Sequence, residues 1–234
     1  RVRKAISHAI NRDAIVARVM EGIATPAGQL LPAGFHGVSE NMSPLKYDPE
    51  LSKKLLAEAG YADGFKMTIH GPNDRYINDA KVAEALAQMF NRIGIEASVE
   101  TMTKAVYFKR ASRGGPNESP EFSFMLLGWG AGSGEASSPL KALLHTYDKS
   151  KGMGAANRGR HSDPRVDELI QKALATVDSD ARGKLLAEAT EIAVGKNFGV
   201  IPVHYQQNTW ASKKGYKYTP RTDERTIVMD LKAQ

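Results

Sequence analysis

The chain has 234 residues, 41% hydrophobic and 25% charged, enough apolar content to bury an ordinary core and too much for a disordered segment. No apolar run is long enough to span a membrane, Arg1-Val-Arg-Lys lacks the hydrophobic stretch of a signal peptide, and there is no cysteine. The net charge of +6 invites a nucleic-acid partner, but Arg110, Arg113, Arg158, Arg160, Lys213, Lys214, Lys217 and Arg221 are dispersed, so a solvated basic surface is expected and no nucleic-acid interface.

Taken in order, Val2 to Ala9 and Arg12 to Met20 read as two helical stretches, with Asn11 a cap between them. His8 falls in the first and is expected to be a satisfied or surface residue. Gly22 to Pro44, punctuated by prolines and glycines, is an irregular connection. Asp48-Pro49 caps a helix running to Ala59 and stopped by Gly60. Phe65 to His70 alternates as a strand does, and the polar turn Gly71 to Tyr76 leads into an amphipathic helix from Asp79 to Ile93. Ile95 to Thr101 is a second strand, so a parallel strand-helix-strand crossover is expected. A short helix over Lys104 to Ser112 and a polar loop to Pro120 follow.

Phe122 to Leu127 is a mostly apolar run that predicts a buried central strand, and the glycines at 128, 130, 132 and 134 let the backbone leave it with Trp129 in the exit. Ser138-Pro139 predicts the cap of a helix over Leu140 to Thr146, which places the loop between a strand end and a helix N-terminus, where α/β proteins bind ligands. Dinucleotide, phosphate-loop and nucleophile-elbow motifs all fail here, because Ser133 or Glu135 replaces the third glycine, no Gly-Lys-Ser/Thr follows, and Ala131 stands where Gly-x-Ser-x-Gly needs glycine. After a polar loop from Tyr147 to Ser162, Asp163-Pro164 caps the first of two helices, about 165 to 177 and 180 to 196. Val200 to Ala211 reads as a strand with Trp210 in the core, and Ile227 to Leu231 closes the chain.

Leu-Leu-Gly-Trp-Gly-Ala between strand and helix resembles the bacterial extracellular solute-binding proteins of family 5, which serve dipeptide, oligopeptide and nickel ABC importers. Three further blocks are similar in the same order: Val2 through Ile15, Tyr47-Asp-Pro-Glu through Tyr61, and Ile201-Pro-Val-His-Tyr through Trp210. The resemblance implies a type II periplasmic-binding-protein-like lobe, α/β, with a mixed, mostly parallel sheet flanked by helices. Relatives are much longer, and the block at residues 2 to 15 lies in their interior. Residues 1–200 are therefore expected to form the second, C-terminal lobe, and 201–234 a strand and tail returning towards a first lobe. Such a lobe alone is expected to fold but to bind weakly. The N-terminus by itself describes a cytoplasmic chain; the resemblance implies a periplasmic one. It also implies a small-molecule or peptide ligand, ABC permease subunits as partners, a monomer, and neither cofactor nor catalysis.

Trp129 offers a broad face and an indole donor, while Gly128 and Gly130 expose backbone groups to an extended ligand. In peptide-binding members an aspartate shortly after the tryptophan receives the ligand's ammonium. The matching position here is Gly132, followed by Ser133 and Gly134. Glu135 either takes over that role or is a carboxylate favoured at a helix N-terminus. Arg75 and Tyr76, in the turn after the first strand, and Asn157 and Arg158, in the later polar loop, match segments that line the family's cleft, and an arginine there can clamp a carboxylate or phosphate. The six histidines show no metal spacing and no serine sits in an elbow. The alternative, a catalytic α/β domain acting on a small acidic substrate, would need a histidine beside a serine or carboxylate in the cleft.

Overall fold

The computed structural model describes residues 1–221 and 223–234. Helix α1 (Val2–Ala9) buries Ala5, Ile6 and Ala9. Asn11 accepts the Ala14 amide at 2.9 Å and so caps α2 (Arg12–Ala14), which widens into a π-helical turn, Ile15–Val19. Asp48 and Pro49 start α3 (Pro49–Glu58) as expected, with the Asp48 carboxylate on the Leu51 amide at 2.9 Å and Gly60 at φ +86° ending the run. His8 is satisfied by the Lys46 carbonyl at 3.0 Å.

Strands β2 (Phe65–Pro72) and β3 (Ile95–Met102) pair in parallel, from Phe65 opposite Ile95 to Pro72 opposite Met102. Between them α4 (Asp79–Asn91) buries Val82, Ala83, Leu86, Ala87 and Phe90. This pair, α1, α3, α4 and the turn at Ile15 share one hydrophobic core. A second core joins α6 (Ser137–Pro139, continuing as Leu140–Leu144), α7 (Pro164–Ala175) and α8 (Ser179–Thr190, continuing as Glu191–Lys196). A small third cluster packs Tyr107 and Ala111 of α5 (Lys104–Arg113) on Phe122. The architecture is mixed α/β, with one parallel pair and two short antiparallel pairs among the described residues.

Six expectations change. Phe122 to Leu127 is not a fully buried strand. It meets β2 at a single point, where the His70 amide donates to Phe124 at 3.1 Å and Leu126 donates to His70 at 2.8 Å. With no neighbour pairing its other edge among the described residues, Phe124 to Leu127 stay half-exposed. The span from Val200 to Ala211 is extended, but only β4 (His204–Gln206) forms a ladder. Its antiparallel partner is β1 (Ala24–Pro26), inside the stretch expected to be irregular throughout. That connection is otherwise tied to itself, Gln29 exchanging two hydrogen bonds with the Ser39 backbone at 2.8 and 2.9 Å. Ser138 is not a cap, because α6 begins one residue earlier with proline still in its first turn. Trp210 is not core: it lies half-exposed on Tyr218, its indole donating to Thr226 at 3.0 Å. The tail closes as a ribbon of β5 (Tyr216–Tyr218) and β6 (Leu231–Ala233), the latter starting four residues beyond the expected Ile227. No helix among the described residues is long and apolar enough to cross a membrane.

Candidate functional site

A groove of about 1450 Å³ runs beside the loop that follows Phe122–Leu127, with Phe65, Met67, Phe124 and Leu126 among its apolar lining. Its polar rim begins at the end of β2. The turn there is held by Asp79 at the start of α4, whose carboxylate accepts the Arg75 and Tyr76 amides, each at 3.0 Å. Asn78, at φ +55°, reaches back to the Val19 carbonyl at 2.8 Å. Tyr76 is thereby aimed at the loop, its hydroxyl donating to the Gly128 carbonyl at 3.1 Å. A Cβ on residue 128 would stand 2.6 Å from the Tyr76 ring, so glycine is required for that approach. The Arg75 guanidinium lies over the other part of this contact, 5.0 Å from the Tyr76 ring centre.

The loop itself is anchored on both sides of its aromatic. Trp129 is 40% exposed, whereas Ala131, two residues on, is buried in the second core. Beyond it Gly134, at φ +72°, donates to Ala131 at 2.9 Å and accepts from His36 at 3.0 Å. A rim aromatic on a fixed backbone suits recognition of a flat or extended solute. At Gly132 an added Cβ would meet no atom within 4 Å, so the space for an acidic side chain is present and the acid is not.

Gly128, Trp129, Gly130, Arg75, Tyr76, Asn157 and Arg158 all border the groove, while Ser133 and Glu135 do not. The Glu135 carboxylate turns to α8 and accepts the Arg182 Nε at 2.8 Å. Burial pushes its pKa up, but hydrogen bonds from Ser137 and Arg182 pull it further down, so it is held below the usual glutamate range. Asn157 is 3% exposed and spends its amide inside its own loop: it donates to the His145 and His161 carbonyls at 3.0 and 2.7 Å and accepts the His161 amide at 2.9 Å. It positions Arg158. That guanidinium stacks over Phe108 at 5.5 Å and donates through Nε to Ser112 at 3.2 Å.

Sequence reasoning missed Phe108 and Ser112, which support Arg158 from α5, and Tyr107, whose buried hydroxyl donates to Leu126 at 2.6 Å. The separation of 46 residues between Ser112 and Arg158 leaves no local signal for the first two. Glu224, from the tail, faces the space above Gly130. His204 also borders the groove, its pKa pushed down by burial. Among the described residues no group of three histidines and carboxylates could hold a metal ion.

The family model described as bacterial extracellular solute-binding proteins, family 5 Middle, matches residues 1–151. A glutathione-binding protein of Salmonella paratyphi A is 31% identical over 99% of the chain, and heme-binding protein A of Haemophilus influenzae is 30% identical over 87%. The periplasmic binding protein DppA of Helicobacter pylori, solved in complex with peptide STSA, superposes with a TM-score of 0.77 at 28% identity, covering 87% of the chain. The chain spans 45%, 36% and 38% of these three proteins respectively.

Proposed function

Because the chain belongs to the bacterial extracellular solute-binding proteins of family 5, we propose that it forms the C-terminal lobe of a two-lobed receptor feeding an ABC importer. Residues 1–200 make the lobe, and 201–234 carry the chain back towards the other one. The receptor is periplasmic and monomeric, closes on a peptide-like or related small solute, and delivers it to the permease. Named relatives bind dipeptides, glutathione and heme, so the ligand class is broad within the family. Members are binding proteins, and the chemistry needed here is recognition without bond cleavage.

The observation that carries this proposal is the groove with Trp129 on its rim and the Gly128 backbone fixed beside it by Tyr76. An apolar concavity with a few oriented polar groups is what a small-solute site requires. Closure of a second lobe over it would exclude water and strengthen every polar contact, so the 234-residue chain alone should bind more weakly than the full receptor.

The test is a thermal-shift screen of the full-length receptor against peptides, N-acetylated peptides, opines, sugars and nickel complexes, followed by calorimetry on the best binder. Trp129→Ala should weaken that binder at least tenfold and leave the unliganded unfolding midpoint unchanged, because the side chain is exposed and outside the cores. Unchanged affinity in this variant would remove the loop from the site. Equal affinity of the isolated chain and the full receptor would refute the two-lobed cleft.

A further inference from the structure

Four arginines are withdrawn from solvent among the described residues: Arg12, Arg110, Arg158 and Arg182. Three of them are engaged by carboxylates or by several carbonyls. Arg12 donates to the Ser7, Ile10, Leu45 and Pro202 carbonyls and to the Ser7 hydroxyl, Arg110 pairs with Glu100 and Glu121, and Arg182 pairs with Glu135. Arg158 differs. Its Nε is bound to Ser112 and its plane lies on Phe108, but its two terminal nitrogens have no hydrogen-bond partner and no carboxylate pairs with it among the described residues. Burial pushes its pKa down, and no carboxylate is among the groups that act in the opposite direction.

Taking a cation out of water without an internal counter-charge is costly, and the cost is recovered when an anion arrives. Held by Phe108 and Ser112, Arg158 borders the groove, as does Tyr76, whose hydroxyl donates to the Gly128 carbonyl. The acids that border the same groove are engaged elsewhere or on another part of the rim: Asp79 with the Arg75 and Tyr76 amides, Asp163 with Asn197, Asp223 with Arg221, and Glu224 at Gly130. On the ligand loop, Glu135 is consumed by Arg182 and residue 132 has no side chain. The rim at this point offers a cation and lacks a carboxylate.

Resting on the proposed receptor function, we infer that Arg158 is a specificity-determining residue that receives a carboxylate of the solute on its free edge. The transported class is then a solute bearing at least one carboxylate and needing no free ammonium, such as an acidic or N-modified amino-acid derivative. The planar fork of arginine suits a two-oxygen anion, and its support by an aromatic face reduces the entropy lost on binding.

The test uses the full-length receptor and a panel of N-acetylated dipeptides, acidic tripeptides and dicarboxylic acids, each beside its methyl ester, with free-amine peptide amides and sugars as the uncharged and cationic arm. Thermal shift followed by calorimetry should show binding by free acids that is lost on esterification. Arg158→Gln should weaken the best acid about 10- to 100-fold, and Arg158→Lys should restore part of that loss. Equal binding of acids and esters, undiminished binding by Arg158→Gln, or binding confined to the amides and sugars overturns this inference while leaving the receptor function standing. Silence of every arm refutes both. Should Arg158→Gln unfold, the comparison of acid with ester on the wild type still decides.

Discussion

Replacing Arg182 by glutamine separates the two roles open to Glu135. The ion pair at 2.8 Å joins the end of the Trp129 loop to α8, and Arg182 also donates to the Thr176 and Val177 carbonyls at 3.2 and 3.1 Å, so one side chain ties the loop to the C-terminal end of α7. At this separation the bare attraction in an effective dielectric of 20 is about 6 kcal/mol, most of it cancelled by desolvation of both ions. Exposed pairs contribute about 0–1 kcal/mol and breaking a fully buried one costs about 3–5 kcal/mol. The side chains here are 26% and 20% exposed, which puts Arg182→Gln between those limits, at about 2 kcal/mol.

For a chain of this size that corresponds to a fall in the unfolding midpoint of about 4–8 °C. Glu135→Gln, which keeps a hydrogen-bonding group in place, should cost about 1 kcal/mol, and a double-mutant cycle should return a coupling of about 1 kcal/mol. The pH dependence has a definite sign. Since the folded pKa of Glu135 is depressed, its contribution is fully present above the unfolded glutamate value, near 4.3, and is lost as pH falls through the lower folded value. The stability gap between wild type and Glu135→Gln should therefore be flat above about pH 5 and shrink below it. Ligand affinity should not move in Glu135→Gln. A variant with unchanged stability and lost binding would refute the structural role and make Glu135 the ligand's partner after all.

Two further substitutions probe the frame that holds the groove. Phe90→Ala removes a fully buried ring that stands edge-on to Phe124 at 5.7 Å, and urea denaturation should show a loss of about 3–5 kcal/mol; a loss under 1 kcal/mol would mean that the first core does not support the Phe122–Leu127 run. Arg12→Lys replaces a 4% exposed guanidinium, whose pKa burial lowers to about 10, by a point charge that cannot span the carbonyls of Ser7, Leu45 and Pro202 together. The same assay should show about 2–3 kcal/mol of destabilisation, and a neutral result would show that the path of 200–203 does not depend on this residue.

Helices were legible wherever a capping residue met a periodic apolar face. Asp48-Pro49 and Asp163-Pro164 begin α3 and α7 where expected, and Val82, Leu86 and Phe90 face inward along α4. The alternation at Phe65 and Ile95 located β2 and β3 for the same reason, since a side chain's direction in a strand repeats every two residues. Local pattern could not show that Phe122–Leu127 pairs with only one neighbour among the described residues, or that the Ala24–Pro26 segment would find His204–Gln206. Pairing depends on which edge is free, and the partners lie far apart in the chain. Trp210 misled because size and hydrophobicity favour burial, whereas it lies half-exposed against Tyr218.

The residues of the site divide along the same line. Glycines around a tryptophan, an acid missing at 132 and an arginine in each of two loops are properties of the amino-acid order, and the order alone also carried the family, because that likeness resides in short blocks. Which charges remain available to a ligand was decided by tertiary structure. Glu135 and Arg158 look equally free in the sequence, yet one is neutralised by Arg182 from α8 and the other is desolvated against Phe108 and Ser112 of α5 with no counter-ion among the described residues. Electrostatic energy depends on distance through space and on the water excluded around each charge, and neither quantity is encoded locally; both appear only when α5, α8 and the two loops are packed together.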